Sequence, residues 1–182
     1  MSSQKILVYG NARGFHQRTL DRWLQLPDSD QKTLLELAEA LKLGENHFRD
    51  FFDWFEEIAL RDGGTLRQVL ERKTLSRILS DPRLGRSDKL KCLKEEMRRL
   101  RFPRLARIEQ EIQEQIRDLK LGPQIQMNVP PGLEGGALTV QMRATHFQEL
   151  RRLVAELDKA LEKDGVKRIF ALLSGEEGNA GL

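Results

Sequence analysis

Thr33 to Phe55, TLLELAEALKLGENHFRDFFDWF, is the stretch from which the rest of the chain is read. Leu34, Leu37, Ala38 and Leu41 recur at helical spacing, which puts them on one apolar face. Leu43 follows the break, and Gly44 is free to take the positive φ that a short connection often needs. Glu45 and Asn46 open a second helix, where an acid suits the N-terminal end of the dipole. Phe48, Phe51, Phe52 and Phe55 give that helix its own apolar stripe. The expectation is two helices joined by a tight turn, with the other segments as supports.

The pattern resembles the DNA-binding helix-turn-helix. A small residue, Ala38, sits where the helices cross, and Leu37, Leu41, Leu43, Phe48 and Phe51 lock the angle. Lys42 departs from the resemblance, since that family usually has Gly there. The open face of the second helix would carry Glu45, Asn46, His47, Arg49, Asp50 and Asp53. Asn46 and Arg49 have the chemistry to read base edges. Against them stands a field: Glu45 to Asp62 holds six acids and two bases, a net of −4, and phosphates repel it. The bland alternative is a plain helical hairpin in an all-α domain.

The 182 residues suffice for one or two domains with a real hydrophobic core, so no disulfide or metal staple is needed. Cys92 is the only cysteine, which excludes an intrachain disulfide and fits a reducing compartment. No apolar run approaches the ~20 residues of a membrane span, and Met1-Ser-Ser-Gln-Lys leads into no signal-peptide core. A cytoplasmic, membrane-free protein is expected. The net charge of +3 hides an asymmetry. Arg83 to Arg107 contains ten bases and three acids, a net of +7, beside the acidic helix. Such a pairing points to a polyanion partner or to an acid–base contact within the chain. Lys89, Lys91, Lys94, Arg98, Arg99, Arg101 and Arg104 are the candidate phosphate contacts, with a solvated helix face as the alternative. About five such contacts would make log K fall with log salt at a slope near −4.5.

Along the chain, Lys5 to Tyr9, KILVY, reads as a short β-prone run ending at Gly10-Asn11. Phe15 to Leu26 reads as a helix, with Ser29 or Asp30 capping the next one. The Phe55 helix is expected to run to Leu60 and to stop at Asp62-Gly63-Gly64, with Thr65 capping its successor. Ser87 is expected to cap a helix that Pro103 breaks, and Leu105 to Leu121 forms a long amphipathic helix. The period then switches to two. Ile125, Met127 and Val129, then Leu138, Val140 and Met142, alternate with polar residues around PPGLEGG, which marks a β-hairpin over residues 124–143. Thr145 and Gln148 form a capping-box pattern ahead of a helix carrying Phe147, Leu150, Leu153, Val154, Leu157 and Leu161. A further short helix spans Val166 to Leu173.

The fold class is therefore mainly α with a small antiparallel hairpin. A helical domain over 15–103 holds the helix-turn-helix at 33–55, and a helix–strand–strand–helix unit covers 104–173. Residues 1–14 and 174–182 are expected to be flexible. Because a lone hairpin leaves two open edges, a homodimer through residues 124–143, sharing a four-stranded sheet, is expected; loops covering the edges of a monomer are the alternative.

This order of elements resembles the DNA-binding and C-terminal portions of ParB-type partition proteins. Arg107 to Leu161, with its helix, Gly-Gly hairpin and final helix from Phe147-Gln148-Glu149-Leu150, resembles their dimerising helix–strand–strand–helix unit. The resemblance implies a DNA-associated, partition-like or regulatory homodimer, or a descendant that kept the scaffold. It does not extend to the family's nucleotide domain: Gly10-Asn11-Ala12-Arg13 departs from the Gly-Glu-Arg-Arg box, and the rest of that domain does not fit in front of it. Neither nucleotide hydrolysis nor a clamp mechanism is carried over.

Catalytic chemistry is not expected. His16, His47 and His146 lie far apart and have no metal-ligand spacing. The adjacent pairs Glu56-Glu57 and Glu95-Glu96 do not face each other on a helix. Cys92 has no nearby histidine, and neither glycine-rich run ends as a phosphate loop does. No catalytic residue, metal or cofactor is assigned. The rival to DNA association is a protein-interaction adaptor that uses Phe52, Trp54 and Phe55 together with the open hairpin edge.

Overall fold

A computed structural model describes residues 2–175. Ten helices and one two-stranded antiparallel hairpin are described, so the protein is mainly α with a small β-element. The chain divides into two units, Met1–Phe102 and Pro103–Leu182.

The first unit holds α1 (Ser2–Ala12), α2 (Gln17–Leu24), α3 (Asp28–Leu41), α4 (Glu45–Asp62), α5 (Leu66–Leu70), α6 (Lys73–Ser80) and α7 (Arg86–Arg101). The KILVY run is not a strand in a flexible lead-in; it lies inside α1. Ile6 and Gly10 are buried, four residues apart on one helical face, while Val8 is exposed, so packing overrides β-propensity here. Gly10 serves a close approach: a Cβ on it would stand 2.3 Å from Leu20 Cδ2.

The helix-turn-helix pair forms as α3 and α4, joined by Lys42, Leu43 and Gly44. The positive φ falls on Lys42 (φ 48°) rather than on Gly44, which is extended at φ −80°. Lys42 is thus the left-handed C-cap that glycine usually supplies. The turn is held from α1: the Tyr9 hydroxyl lies 2.7 Å from the Ala38 carbonyl and 2.8 Å from that of Leu43, and Arg13 Nη1 donates to the Lys42 carbonyl at 2.8 Å. Burial raises the Tyr9 phenol above its ordinary value. Because a lysine side chain gains nothing from the left-handed region, Lys42→Gly is expected to stabilise the protein by about 1 kcal/mol. The check is the urea midpoint, which must rise.

An aromatic cluster fills the centre of this unit. Trp23 packs against Phe48 at 4.3 Å between centroids, the rings tilted by 37°, with Phe15, Tyr9 and Phe52 around the pair. Neither Ser29 nor Asp30 caps α3, whose N-cap is Pro27. Asp30 is buried instead, and its Oδ1 accepts the Arg67 backbone N–H at 3.0 Å, tying α3 to α5. Thr65 and Gln68 form the capping box of α5. Gly85 rather than Ser87 is the N-cap of α7, and α4 runs to Asp62, with Gly63 as its left-handed C-cap at φ 65°.

The second unit holds α8 (Pro103–Asp118), β1 (Ile125–Asn128), a 3-10 turn (Pro131–Gly136), β2 (Thr139–Met142), α9 (Phe147–Leu161) and α10 (Asp164–Ser174). Pro103 starts α8, as suits a residue whose missing N–H has no helical partner at the first position. α8 stops three residues short of Leu121, and Lys120 takes φ 52° ahead of Gly122-Pro123. Ile125 pairs with Met142 and Met127 with Val140, so all four share one face; Ile125 and Met127 are buried. Met127 packs with Ile112, Leu119, Val166, Ile169 and Leu172 in a separate core. Glu109 Oε1 fastens the hairpin turn by accepting the Gly132 N–H at 3.0 Å. The cap of α9 lies one residue beyond the Thr145/Gln148 pattern: His146 Nδ1 accepts the Glu149 N–H, and Glu149 reaches back to Thr145 N and Oγ1. Of the tail expected to be flexible, Ser174 closes α10 and Gly175 is its C-cap; residues 176–182 lie outside the described residues.

Candidate nucleic-acid interface

The acids of α4 weigh against anion binding when read from sequence, but each of them is engaged within the first unit. Glu45 Oε1 accepts from Thr19 Oγ1 at 2.5 Å and from the His16 N–H at 3.0 Å. Asp53 pairs with Arg22 at 2.6 Å, and the same guanidinium bonds Glu56 while lying 4.3 Å over the Phe52 ring. Asp50 stands 3.8 Å from Lys94, and Glu57 pairs with Arg101 at 2.7 Å. Asp62 is held by Arg61 at 2.7 Å and by Arg72 at 2.5 Å. The −4 stretch is thus largely neutralised by α2, α6's N-cap residue and α7. The acid–base contact within the chain is the one that the charge asymmetry allowed for.

With those acids occupied, the first turn of α4 stands open. Asn46 and Arg49 are both exposed. Arg49 lines a cleft of about 580 Å³ together with His16, Arg18 and Glu45. Three arginines line the cleft: Arg22 is spent on Asp53 and Glu56, while the Arg18 and Arg49 guanidiniums make no ion pair among the described residues. No sequence pattern signalled Arg18, because it belongs to a different helix and meets Arg49 only through the fold.

The seven cations assigned to phosphate contact belong to both units. Six lie on α7, and Arg104 lies on α8 in the other unit. Lys89 Nζ donates to the Leu79 carbonyl at 2.7 Å and so caps the end of α6. Arg98 and Arg99 approach Glu95 at 3.3 and 3.4 Å. Arg101 is shared between Glu57 and the Trp54 ring, 5.4 Å away. Lys94 Nζ lies 3.2 Å from His47 Nδ1. Lys91 is exposed and makes no ion pair. Lys91, Lys94, Arg98 and Arg101 do converge on one groove between α4 and α7.

Phe52 and Phe55 are fully buried, so the aromatic docking face assigned to the adaptor reading is reduced to the half-exposed Trp54. Cys92 is half-buried on α7, and no cluster of three metal-ligating side chains occurs among the described residues. No described helix is long and apolar enough to cross a membrane.

The ion pairs make a pH prediction. The Arg61 and Arg72 hydrogen bonds hold Asp62 well below the carboxylate range, and the Arg83 side chain and backbone hold Asp81 down at about 2. Thr19 lowers Glu45, and the Thr145 backbone lowers Glu149. Folded values below unfolded ones mean stability that is complete above about pH 4–4.5 and is lost as pH falls through the folded values. The urea midpoint should therefore drop from about pH 4.5 down to about pH 2, and Asp62→Asn should flatten that drop. No protein-family model, curated protein or solved structure matches the chain.

Proposed function

We propose that the protein binds duplex DNA through the first turn of α4 and does so as a homodimer joined through its second unit. The observation that supports DNA binding is the charge arrangement on α4. Its six acids are engaged, while Asn46 and Arg49 remain exposed beside Arg18. In helix-turn-helix recognition the N-terminal residues of the second helix meet base edges. Asn suits adenine and Arg suits guanine. Arg18 and the exposed Arg99 supply phosphate contacts.

The test is a titration of the full chain with duplex DNA across a range of salt. Binding at low salt is expected, with log K falling against log salt. Arg18→Ala should reduce the steepness by about 0.9, whereas Arg49→Ala should cost about 1–3 kcal/mol and relax the sequence preference. Absence of binding at low salt, or indifference to salt, removes the DNA reading. The dimer reading is supported by the hairpin 124–143, whose two strands pair with no other strand among the described residues, and by the exposed apolar side chains that follow it on α9.

A further inference from the structure

The groove between α4 and α7 carries more than phosphate contacts need. It has a volume of about 880 Å³, and its lining includes Trp54, Ser87, Lys91, Lys94, Arg98 and Arg101. Ser87, Lys91, Lys94, Arg98 and Arg101 follow one another at spacings of four and three, so they form a single row along α7. From Ser87 to Arg101 that row is roughly 21 Å long. Across from it, His47 and Trp54 lie two turns apart on α4.

Several donors in the groove are unsatisfied or loosely held. The Trp54 indole N–H and the Ser87 hydroxyl donate to no protein group among the described residues. Lys94 is retained only by a histidine nitrogen at 3.2 Å and by Asp50 at 3.8 Å, and Lys91 by nothing. Arg101 already lies over the indole, with the geometry of a cation–π pair. A row of cations beside a partly buried aromatic ring matches the chemistry of a flat base joined to a phosphate. The cations follow the backbone, and the ring takes a base by stacking, whatever its sequence.

We infer that the α4–α7 groove binds single-stranded nucleic acid, with a base stacked at Trp54 and the backbone running along Lys91, Lys94 and Arg98. This goes beyond duplex binding at Asn46 and Arg49 and does not depend on it. A free nucleotide offers the same base-plus-phosphate chemistry, so the test must separate the two sources.

Of the two tryptophans, Trp23 is fully buried, so a ligand-induced change in indole emission reports Trp54. The full chain is titrated at low salt with an oligothymidylate of about 15 nucleotides. A saturable change in emission is expected. Affinity should fall about 5- to 100-fold in Trp54→Ala, with Trp54→Phe recovering most of it. Lys91→Glu, at an exposed position with no partner to lose, should weaken binding about tenfold. The double variant Asn46→Ala/Arg49→Ala should stay within about twofold of the parent, because duplex reading and strand stacking use different residues. An unchanged affinity in Lys91→Glu overturns the inference even if Trp54→Ala fails to fold. So does an equal emission change with inorganic polyphosphate, which has no bases to stack. Thymidine monophosphate binding as tightly as the oligomer overturns the single-strand assignment.

Discussion

Trp23→Ala is expected to remove about 3–5 kcal/mol of stability, the largest loss from any single truncation in the first unit. The indole is fully buried and is touched by rings from three other segments: Phe48 at 4.3 Å, Phe15 at 6.4 Å and Tyr9 at 6.4 Å. Its Nε1–H donates to the Gln31 carbonyl at 3.3 Å, so truncation also strips a partner from the start of α3. The surrounding rings are rigid and cannot flow into the space, which places the cost high in the range for aromatic truncations. Tyr9 leans on Trp23 and also holds the α3–α4 turn, so the cavity weakens the platform that presents Asn46 and Arg49. The second unit has its own core and should keep its helical signal. A denaturation midpoint corresponding to a loss below about 1.5 kcal/mol would mean that the cluster closes over the gap and that the aromatic packing matters less than its geometry implies.

Elements with a strong period were legible in the sequence. The α3–α4 pair rests on leucines and phenylalanines at three- and four-residue steps, and all but Trp54 of the aromatic positions through Phe55 are buried. The hairpin rests on strict alternation, and its Ile125–Met142 and Met127–Val140 pairs put the alternating residues on one face. KILVY misled because five residues are too few to show a helical period, and Ile6, Val8 and Tyr9 all favour strands. What decides for helix is long-range: Ile6 finds the core, and Gly10 lets Leu20 come close. A caps-first reading also failed at Asp30 and Thr145. The side chain of Asp30 serves another helix, and His146, a residue type seldom read as a cap, takes the position beside Thr145.

The functional surface was less legible, for a reason peculiar to charges. An acidic helix and a basic helix read separately suggest repulsion from DNA and attraction to it. Once α4 and α7 pack together, Glu57 meets Arg101 and Asp50 meets Lys94, and most of both fields cancels. What remains is set by the residues the fold leaves unpaired, Arg18, Arg49 and Lys91, and by a tryptophan left half open. Exposed pairs of this kind add little stability each, so their main consequence is to shape the residual potential.

The double variant Leu150→Glu/Val154→Glu is expected to convert a dimer to a monomer without unfolding the subunit. On α9, Phe147 is 67% exposed, Leu150 41%, Val154 49% and Leu161 49%. They recur at steps of three, four and seven, a continuous apolar stripe on a helix whose neighbouring face supplies Leu153 and Ala160 to the interior. A small unit gains nothing by holding so many large apolar groups in water, and a second copy of the same stripe is self-complementary across a two-fold axis. Burying the remaining half of each side chain is worth on the order of 1 kcal/mol, counted once per subunit. Four carboxylates placed in that seam would be desolvated without partners, which exceeds the gain. Sedimentation should show the mass fall from two chains to one, with the helical signal intact because both positions are solvent-facing in the single subunit. A parent chain that is already monomeric at micromolar concentration, or a variant that still dimerises, leaves the stripe without this role. If the dimer is what brings two α4 helices to one duplex, the monomeric variant should also lose about 10²-fold in DNA affinity although Arg18, Asn46 and Arg49 are unchanged.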